Sequence, residues 1–222
     1  MTIVIAVDGT AASGKGTLAQ RLAKHFGFAH LDSGSLYRLT ALGVHEAHGD
    51  PANEADAVKA ARALDLTRAG DPAIRTDAIG RWSSVVSAFP AVRAALLRFQ
   101  RDFAQNPIGG SLGAVIDGRD IGTVVCPDAI AKLFVDARPE IRAHRRWLEL
   151  RKLGIARDEA ELLAELNARD LADRTRPISP AKPAPDAALL DTSDLAIDAA
   201  FAAALTLVQA KVDDALKARP RG

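Results

Sequence analysis

Short apolar runs recur along the chain at Ile3 to Val7, Phe28 to Leu31, Ala114 to Ile116, Lys132 to Val135 and Ala187 to Leu190. Each has the length of a strand and is nearly continuous rather than alternating, which is how a strand buried on both faces reads. Such strands pair in parallel and need crossovers, which the helically periodic segments from Thr17, Glu140 and Leu195 can supply. The pattern predicts an α/β fold: a parallel five-stranded sheet with flanking helices. The stretch between the second run and the third is too long for one crossover. It carries helical periodicity of its own at Ser35 to Glu46, Glu54 to Leu64, Ile74 to Ser87 and Pro90 to Ala104. It reads as a subdomain inserted at 35–104 in a core of 1–34 and 105–222. Pro177, Pro180, Pro183 and Pro185 crowd a span after an Arg-rich helix end and predict a loop.

With 222 residues, 48% of them hydrophobic, the chain can bury one substantial core and a small subdomain within it. Lys and Arg total 29 against 28 for Asp and Glu, a net charge of +1, so no overall field recruits nucleic acid or an anionic membrane. Any anion site is local. Arg outnumbers Lys by 21 to 8, which suits bidentate phosphate recognition and equally follows from an Ala- and Arg-rich codon bias. Cys126 stands alone, so no disulfide forms within the chain, as fits a reducing compartment, and its thiol reads as structural. Met1 to Val7 carry no basic leader and no small-residue cleavage site follows, while no apolar stretch approaches the roughly 20 residues that cross a bilayer. The expectation is a cytoplasmic protein with no membrane or nucleic-acid partner, monomeric by default.

Directly after the first strand stands Gly9-Thr10-Ala11-Ala12-Ser13-Gly14-Lys15-Gly16-Thr17, and Leu18 to Ala23 then open a helix. Strand, glycine-rich loop and helix in that order make a phosphate cradle. Glycines let the main chain turn its N–H groups inward, and the helix N-terminus adds partial positive charge. Lys15 supplies a mobile charge for the β- and γ-phosphates of ATP, and the Thr17 hydroxyl is placed to ligate Mg²⁺. Gly16 separates the lysine from the hydroxyl residue, a form familiar from nucleoside monophosphate kinases.

Two further motifs follow strands: Leu31-Asp32-Ser33-Gly34-Ser35-Leu36-Tyr37-Arg38 and Asp117-Gly118-Arg119-Asp120-Ile121-Gly122-Thr123. In an open α/β sheet the carboxyl ends of the strands border the ligand crevice, so Arg38, Arg119 and the nearby carboxylates are candidates to meet on an acceptor. Together with Ile74-Arg75-Thr76, Ala88-Phe89-Pro90, Val92-Arg93, Arg169-Asp170, Asp173-Arg174 and Arg176, these motifs make nearly the whole chain resemble bacterial cytidylate kinase. The resemblance implies transfer of the γ-phosphoryl group of ATP to CMP or dCMP. It implies that Ser33, Arg38 and Arg119 contact the CMP phosphate and its surroundings, with Tyr37 beside them in the motif. Ser84 and Arg93 match positions that recognise cytosine, Asp120, Arg169 and Asp173 positions near the pentose, and Arg176 a further substrate arginine. It also implies a lid over about 169–185, on which Arg169, Arg174 and Arg176 close over phosphates. Lys15, Arg119, Arg169 and Arg174 would carry catalysis. One departure is visible: between Asp65 and Ile74 only Leu-Thr-Arg-Ala-Gly-Asp-Pro-Ala remains, where longer bacterial cytidylate kinases insert short strands.

Plainer readings stand beside these. Asp117 can be a magnesium-organising acid or a turn former. Asp32 can cap the helix from Ser33, orient magnesium-bound water, or both. Arg142, Arg145, Arg146 and Arg151, at near-helical spacing, read as a solvated face, one of them a candidate to reach adenine. His25, His30, His45, His48 and His144 show no ligand spacing for a metal. The rivals to CMP phosphorylation are another small-molecule kinase of the same fold, acting on UMP, AMP, shikimate or a coenzyme precursor, and a nucleotide switch without a small acceptor. The absence of an Asn-Lys-x-Asp guanine reader disfavours a GTPase.

Overall fold

A computed structural model describes residues 2–218. In chain order the elements are β1 (Ile3–Gly9), α1 (Lys15–Phe26), β2 (Ala29–Asp32), α2 (Ser33–Glu46), α3 (Glu54–Arg62), α4 (Asp77–Val86), α5 (Pro90–Gln105), β3 (Gly113–Gly118), β4 (Ala131–Asp136), α6 (Pro139–Lys152), α7 (Glu159–Thr175), β5 (Ala188–Asp191) and α8 (Ile197–Lys217). The strands form one five-stranded sheet in the order β2-β3-β1-β4-β5, with β1 parallel to β3 and β4, and β4 parallel to β5. This is the predicted α/β architecture. Each of the five apolar runs overlaps a strand; β1 and β3 are buried along nearly their whole length, as burial on both faces demands, while the edge strands β2 and β5 are partly exposed.

Compactness divides the chain into two units: residues up to Leu31 together with those from Ala104 onward, and Asp32–Phe103. In the first, Leu18 and Leu22 of α1 pack with Ile5, Val7, Leu133 and Val135 of the sheet. Ala200, Ala204, Val208 and Val212, four residues apart along α8, bury a narrow stripe in the same core. Small residues at that spacing let a helix lie close, and each larger aliphatic side chain removed from water contributes about 2 kcal/mol.

In the second unit the helices start where a side chain can cap them: Asp32 accepts from the Ser35 amide, Asn53 from the Ala55 and Asp56 amides, and Thr76 from the Ile79 amide. That last cap explains a difference from expectation. The helix read as Ile74 to Ser87 begins at Asp77, because Thr76 adopts an extended conformation and Pro72–Arg75 close a separate 3₁₀ turn. The shortened stretch before it holds a second 3₁₀ turn, Leu66–Gly70, with Arg68 bridging Glu46 and Asp71. Among its described residues this unit contains no strand. Two features of the first unit were not visible in the periodicity: a π-helical turn at Ile121–Val125, and the full length of α7, of which only the Arg-rich end was read.

Gly9 has φ +153°, and a Cβ built there would lie 2.0 Å from the Val135 carbonyl oxygen, so β1 and β4 approach too closely for any side chain. Gly9→Ala is expected to lower stability by about 3 kcal/mol, while Gly70→Ala, where a Cβ meets nothing within 4 Å, changes it by less than about 0.5 kcal/mol. Urea unfolding of the two variants checks both values.

Candidate active site

The loop from Gly9 to Gly14 joins β1 to α1. Its turn is made by Ala12 at φ 58° and Gly14 at φ 88°, the latter immediately before the first helical residue, Lys15. Its carbonyls are occupied from one side. Thr10 O accepts from the Ser13 hydroxyl at 3.0 Å, Ala11 O from Arg142 Nη1 at 3.0 Å, and Ser13 O from Thr192 Oγ1 at 2.9 Å. A peptide unit is planar and trans, so a carbonyl held one way aims the next residue's N–H the other way. The amides of Ala11, Ala12 and Gly14 therefore face away from those partners. The first-turn amides of α1, which lack acceptors within the helix, extend the cradle. The Thr10 hydroxyl is tied to Asp136 Oδ1 at 2.6 Å and its amide donates to Val135 O, so the first flank of the loop is anchored to β4.

At the end of β3, buried Asp117 receives His30 Nε2 at 2.8 Å, and its Oδ2 lies 3.6 Å from where Gly16 would carry a Cβ. The carboxylate thus lies against the first turn of α1, where Thr17 is exposed. Beside it, Asp8 accepts from the amides of Ile121 at 2.8 Å and Gly122 at 2.7 Å. Those two bonds fix the π-helical turn and with it the direction in which Arg119 and Asp120 leave the strand. Burial pushes the Asp8 carboxyl up to about 6; its two amide bonds and Arg119 oppose the rise, and Asp120 adds to it.

The arginines gather around Asp173. Arg119 donates through Nε to Asp173 Oδ2 at 3.0 Å and through Nη1 to Gly118 O; Arg176 donates to Asp173 Oδ1 at 3.4 Å and to Ser179 O at 2.6 Å, and lies 3.9 Å from Asp120. Burial alone would raise the Asp173 carboxyl, but the charges of Arg119, Arg169 and Arg176, with the bond from Arg119, hold it below the usual carboxylate range. Arg174 is exposed on the last turn of α7, 3.9 Å from Asp170. A cavity of about 780 Å³ is bordered by Thr10, Arg119, Asp136, Asp173, Arg174 and Lys182. Cavities of about 290 and 690 Å³ in the Asp32–Phe103 unit are lined by none of the candidate site residues.

Within the Asp32–Phe103 unit, Ser33 is buried at the start of α2 and Asp32 caps that helix, its Oδ2 3.7 Å from Arg75. Arg38 donates to Ile74 O at 2.7 Å with its guanidinium beside Gly80, whose carbonyl takes a long 3.5 Å contact from the Ser84 hydroxyl. Buried Arg93 lies over the Tyr37 ring at 5.4 Å and donates to Ser87 O at 3.4 Å. The unit therefore brings Arg38 and Ser84 to one glycine and pairs Tyr37 with Arg93.

Sequence reasoning missed several members of the site. Arg142, expected on a solvated face, is 1% exposed. Its helical spacing with Arg145 and Arg146 is real, but α6 turns that row toward the phosphate loop: Arg145 donates to Thr192 O and Oγ1. Asp8, Asp136 and Thr192 gave no motif signal beyond polar residues at strand ends. Among the described residues no group of three or more His, Cys, Asp and Glu is arranged to hold a metal, and no helix is long and apolar enough to cross a membrane.

The family model described as cytidylate kinase matches residues 5–210. A cytidylate kinase of Rhodopseudomonas palustris (strain TIE-1) is 53% identical over 94% of this chain and 96% of its own length. One of Nitrobacter winogradskyi is 54% identical over 93% and 96%. Among solved structures, an uncharacterized protein from Eubacterium ventriosum shares the fold at 14% identity, with a TM-score of 0.52 over 94% of this chain and 99% of that one.

The Asp8 environment gives a signed expectation. Because the folded state holds this proton more tightly than the unfolded chain does, the stability Asp8 contributes is complete below about pH 4 and is lost as pH rises through about 6. Asp8→Asn does not titrate, so the stability of the parent relative to the variant is expected to fall by about 2 kcal/mol from pH 4 to pH 7. Urea unfolding across that range reads the gap, and a constant difference would contradict the raised carboxyl.

Proposed function

The chain belongs to the cytidylate kinase family, and from that premise we propose how its residues move the γ-phosphoryl group of ATP onto CMP or dCMP. The observation that carries this reading is the loop Gly9 to Gly14, whose carbonyls are tied to Ser13, Arg142 and Thr192, which leaves the following amides turned away from those partners and open to an anion. ATP is the donor of this family, and the loop with Lys15 is its seat: main-chain amides hold the phosphate tail, and the lysine ammonium follows charge onto the β- and γ-phosphates as the bond breaks.

The donor set fits a magnesium ion. The Thr17 hydroxyl stands at the first turn of α1, and the Asp117 carboxylate lies against the same turn. Thr17 is the assigned ligand, and Asp32 is assigned to magnesium-bound water through the oxygen that its cap does not use. Bound there, Mg²⁺ neutralises charge on the β- and γ-phosphates.

The acceptor roles follow the family motifs residue by residue. In the Asp32–Phe103 unit, Ser33 and Arg38 are assigned to the CMP phosphate, with Tyr37 supporting Arg93, and Ser84 with Arg93 to the cytosine edge. In the other unit, Arg119 is assigned to phosphate, Asp120, Arg169 and Asp173 to the pentose, and Arg176 to substrate. Arg169 and Arg174 complete the charge around the transferring group. An oxygen of the CMP phosphate attacks the γ-phosphorus as the bond to the bridging oxygen of ADP breaks, giving CDP and ADP. That phosphate is already ionised near neutral pH, so alignment and guanidinium charge suffice without a general base. The pairing of Arg119 and Arg176 on Asp173 keeps both cations fixed before substrate arrives, which lowers the reorganisation needed at the moment of transfer. Residence in the cytoplasm as a monomer completes the proposal.

Lys15→Met is expected to lower kcat by about 10²- to 10³-fold with an unchanged far-ultraviolet dichroism spectrum. Turnover near that of the parent would remove Lys15 from its role. Coupled ADP release across CMP, dCMP, UMP, AMP and shikimate is expected to show acceptor-dependent turnover highest on the cytidine nucleotides; ATP hydrolysis indifferent to acceptor would identify a nucleotide switch instead. Asp173→Ala is expected to shift the CMP to dCMP ratio of kcat/KM, and an unchanged ratio would take Asp173 away from the pentose.

A further inference from the structure

Arg142 is the largest fully buried side chain among the described residues, and nothing in the transfer reaction as derived above uses it. From α6 its guanidinium reaches three different parts of the chain. Nε donates to Ala137 O at 2.8 Å, just past β4; Nη1 donates to Ala11 O at 3.0 Å in the phosphate loop; and Nη2 donates to Asp170 Oδ2 at 2.5 Å on α7. Asp170 is itself buried, and the same oxygen lies 3.9 Å from Arg174, one helical turn further along. Three residues after Asp170 comes Asp173, on which Arg119 and Arg176 converge.

The geometry has a direct consequence for the loop. Holding the Ala11 carbonyl aims the Ala12 amide in the opposite sense, and that amide belongs to the cradle. A single planar group thus fixes one peptide unit of the donor site and, through a charge-assisted bond, the helix that bears Arg169, Arg174 and Asp173. Lysine cannot replace it, because one ammonium on a flexible stem cannot span three acceptors lying in different directions.

We infer that Arg142 and Asp170 form a buried strut that holds the phosphate loop and the arginine-bearing end of α7 in one frame, making both positioning residues for phosphoryl transfer. The strut rests on the kinase reading for its effect on turnover, but its effect on ATP binding is read without any acceptor. It acts through the residues it places and touches neither substrate.

The test uses the full-length chain and compares Asp170→Asn, Arg142→Lys and the double variant with the parent. Three quantities are read well below the melting temperature: the Kd for MgATP by calorimetry without acceptor, kcat, and KM for CMP. Arg142→Lys is expected to raise the ATP Kd about tenfold or more, through the misaligned Ala12 amide. Both single variants are expected to lower kcat about tenfold or more and to raise KM for CMP, because Arg169 and Asp173, assigned to the pentose, lie on the helix that the strut holds. The double variant is expected to be no worse than the poorer single, as members of one unit are not additive. A lowered melting temperature with unchanged Kd and kcat would overturn the strut as a positioning device and leave Arg142 as packing alone. Losses that multiply in the double variant would overturn the coupling. Should Arg142→Lys fail to fold, Asp170→Asn, which leaves Arg142 and its Ala11 and Ala137 acceptors in place, decides on kcat alone. A parent that binds MgATP but phosphorylates no mononucleotide would instead sink the kinase reading, and the ATP Kd of the variants would still decide the strut's hold on the loop.

Discussion

A loop can offer its amides to an anion only while its carbonyls are satisfied elsewhere, because the two groups of each peptide unit point in opposite directions. In this chain the loop after β1 meets that condition through Ser13, Thr192 and buried Arg142, and much of the first unit serves to deliver those three groups. The approach of Gly9 to the Val135 carbonyl brings the loop against β4; Asp136 takes the Thr10 hydroxyl; Arg145 holds Thr192 from α6. The sheet order puts β1 between β3 and β4, so the loop emerges beside the ends of both strands that anchor its neighbours.

The same economy of groups governs the charged residues. Burying a carboxylate is costly unless several donors meet it, and each buried acid here is met: Asp8 by two amides, Asp117 by His30, Asp170 by Arg142, Asp173 by two guanidinium groups. Asp8 and Asp173 show how the balance tips. Neutral amide donors leave Asp8 with a raised carboxyl, whereas three nearby arginine charges overcome burial at Asp173 and keep it anionic. An anionic Asp173 is what keeps Arg119 and Arg176 paired and ordered.

The Asp32–Phe103 unit is built by different means. It relies on helices whose starts are marked by Asp32, Asn53 and Thr76, and Arg68 bridges Glu46 and Asp71 across the short 3₁₀ turns between α3 and α4. Arg38 and Arg93 each donate to a main-chain carbonyl, Ile74 O and Ser87 O, which ties their orientation to the packing of α4 and its flanks.

The order of apolar runs and helical segments was enough to give a five-stranded α/β sheet, because burial on both faces leaves a continuous hydrophobic signature that loops do not share. The phosphate loop was legible for a similar reason: its function resides in the main chain, so glycine spacing between a strand and a helix suffices to announce it. The motifs Ser33 to Arg38, Asp117 to Thr123 and Arg169 to Arg176 were legible through resemblance, since residue types and spacing survive where packing details vary. What lay beyond the sequence was set by partners far apart in the chain. Arg142 looks like its neighbours Arg145 and Arg146 until α6 is docked, and only then does one of the three become a buried link between Ala11 and Asp170. The raised carboxyl of Asp8 likewise comes from burial that only the fold creates, partly opposed by amides of a π-helical turn 113 residues away in sequence, and the start of α4 depends on a threonine cap that helical periodicity ran straight through. Periodicity and motif record what each residue does locally, whereas the sign of a charge's environment is decided by which distant groups the fold brings against it.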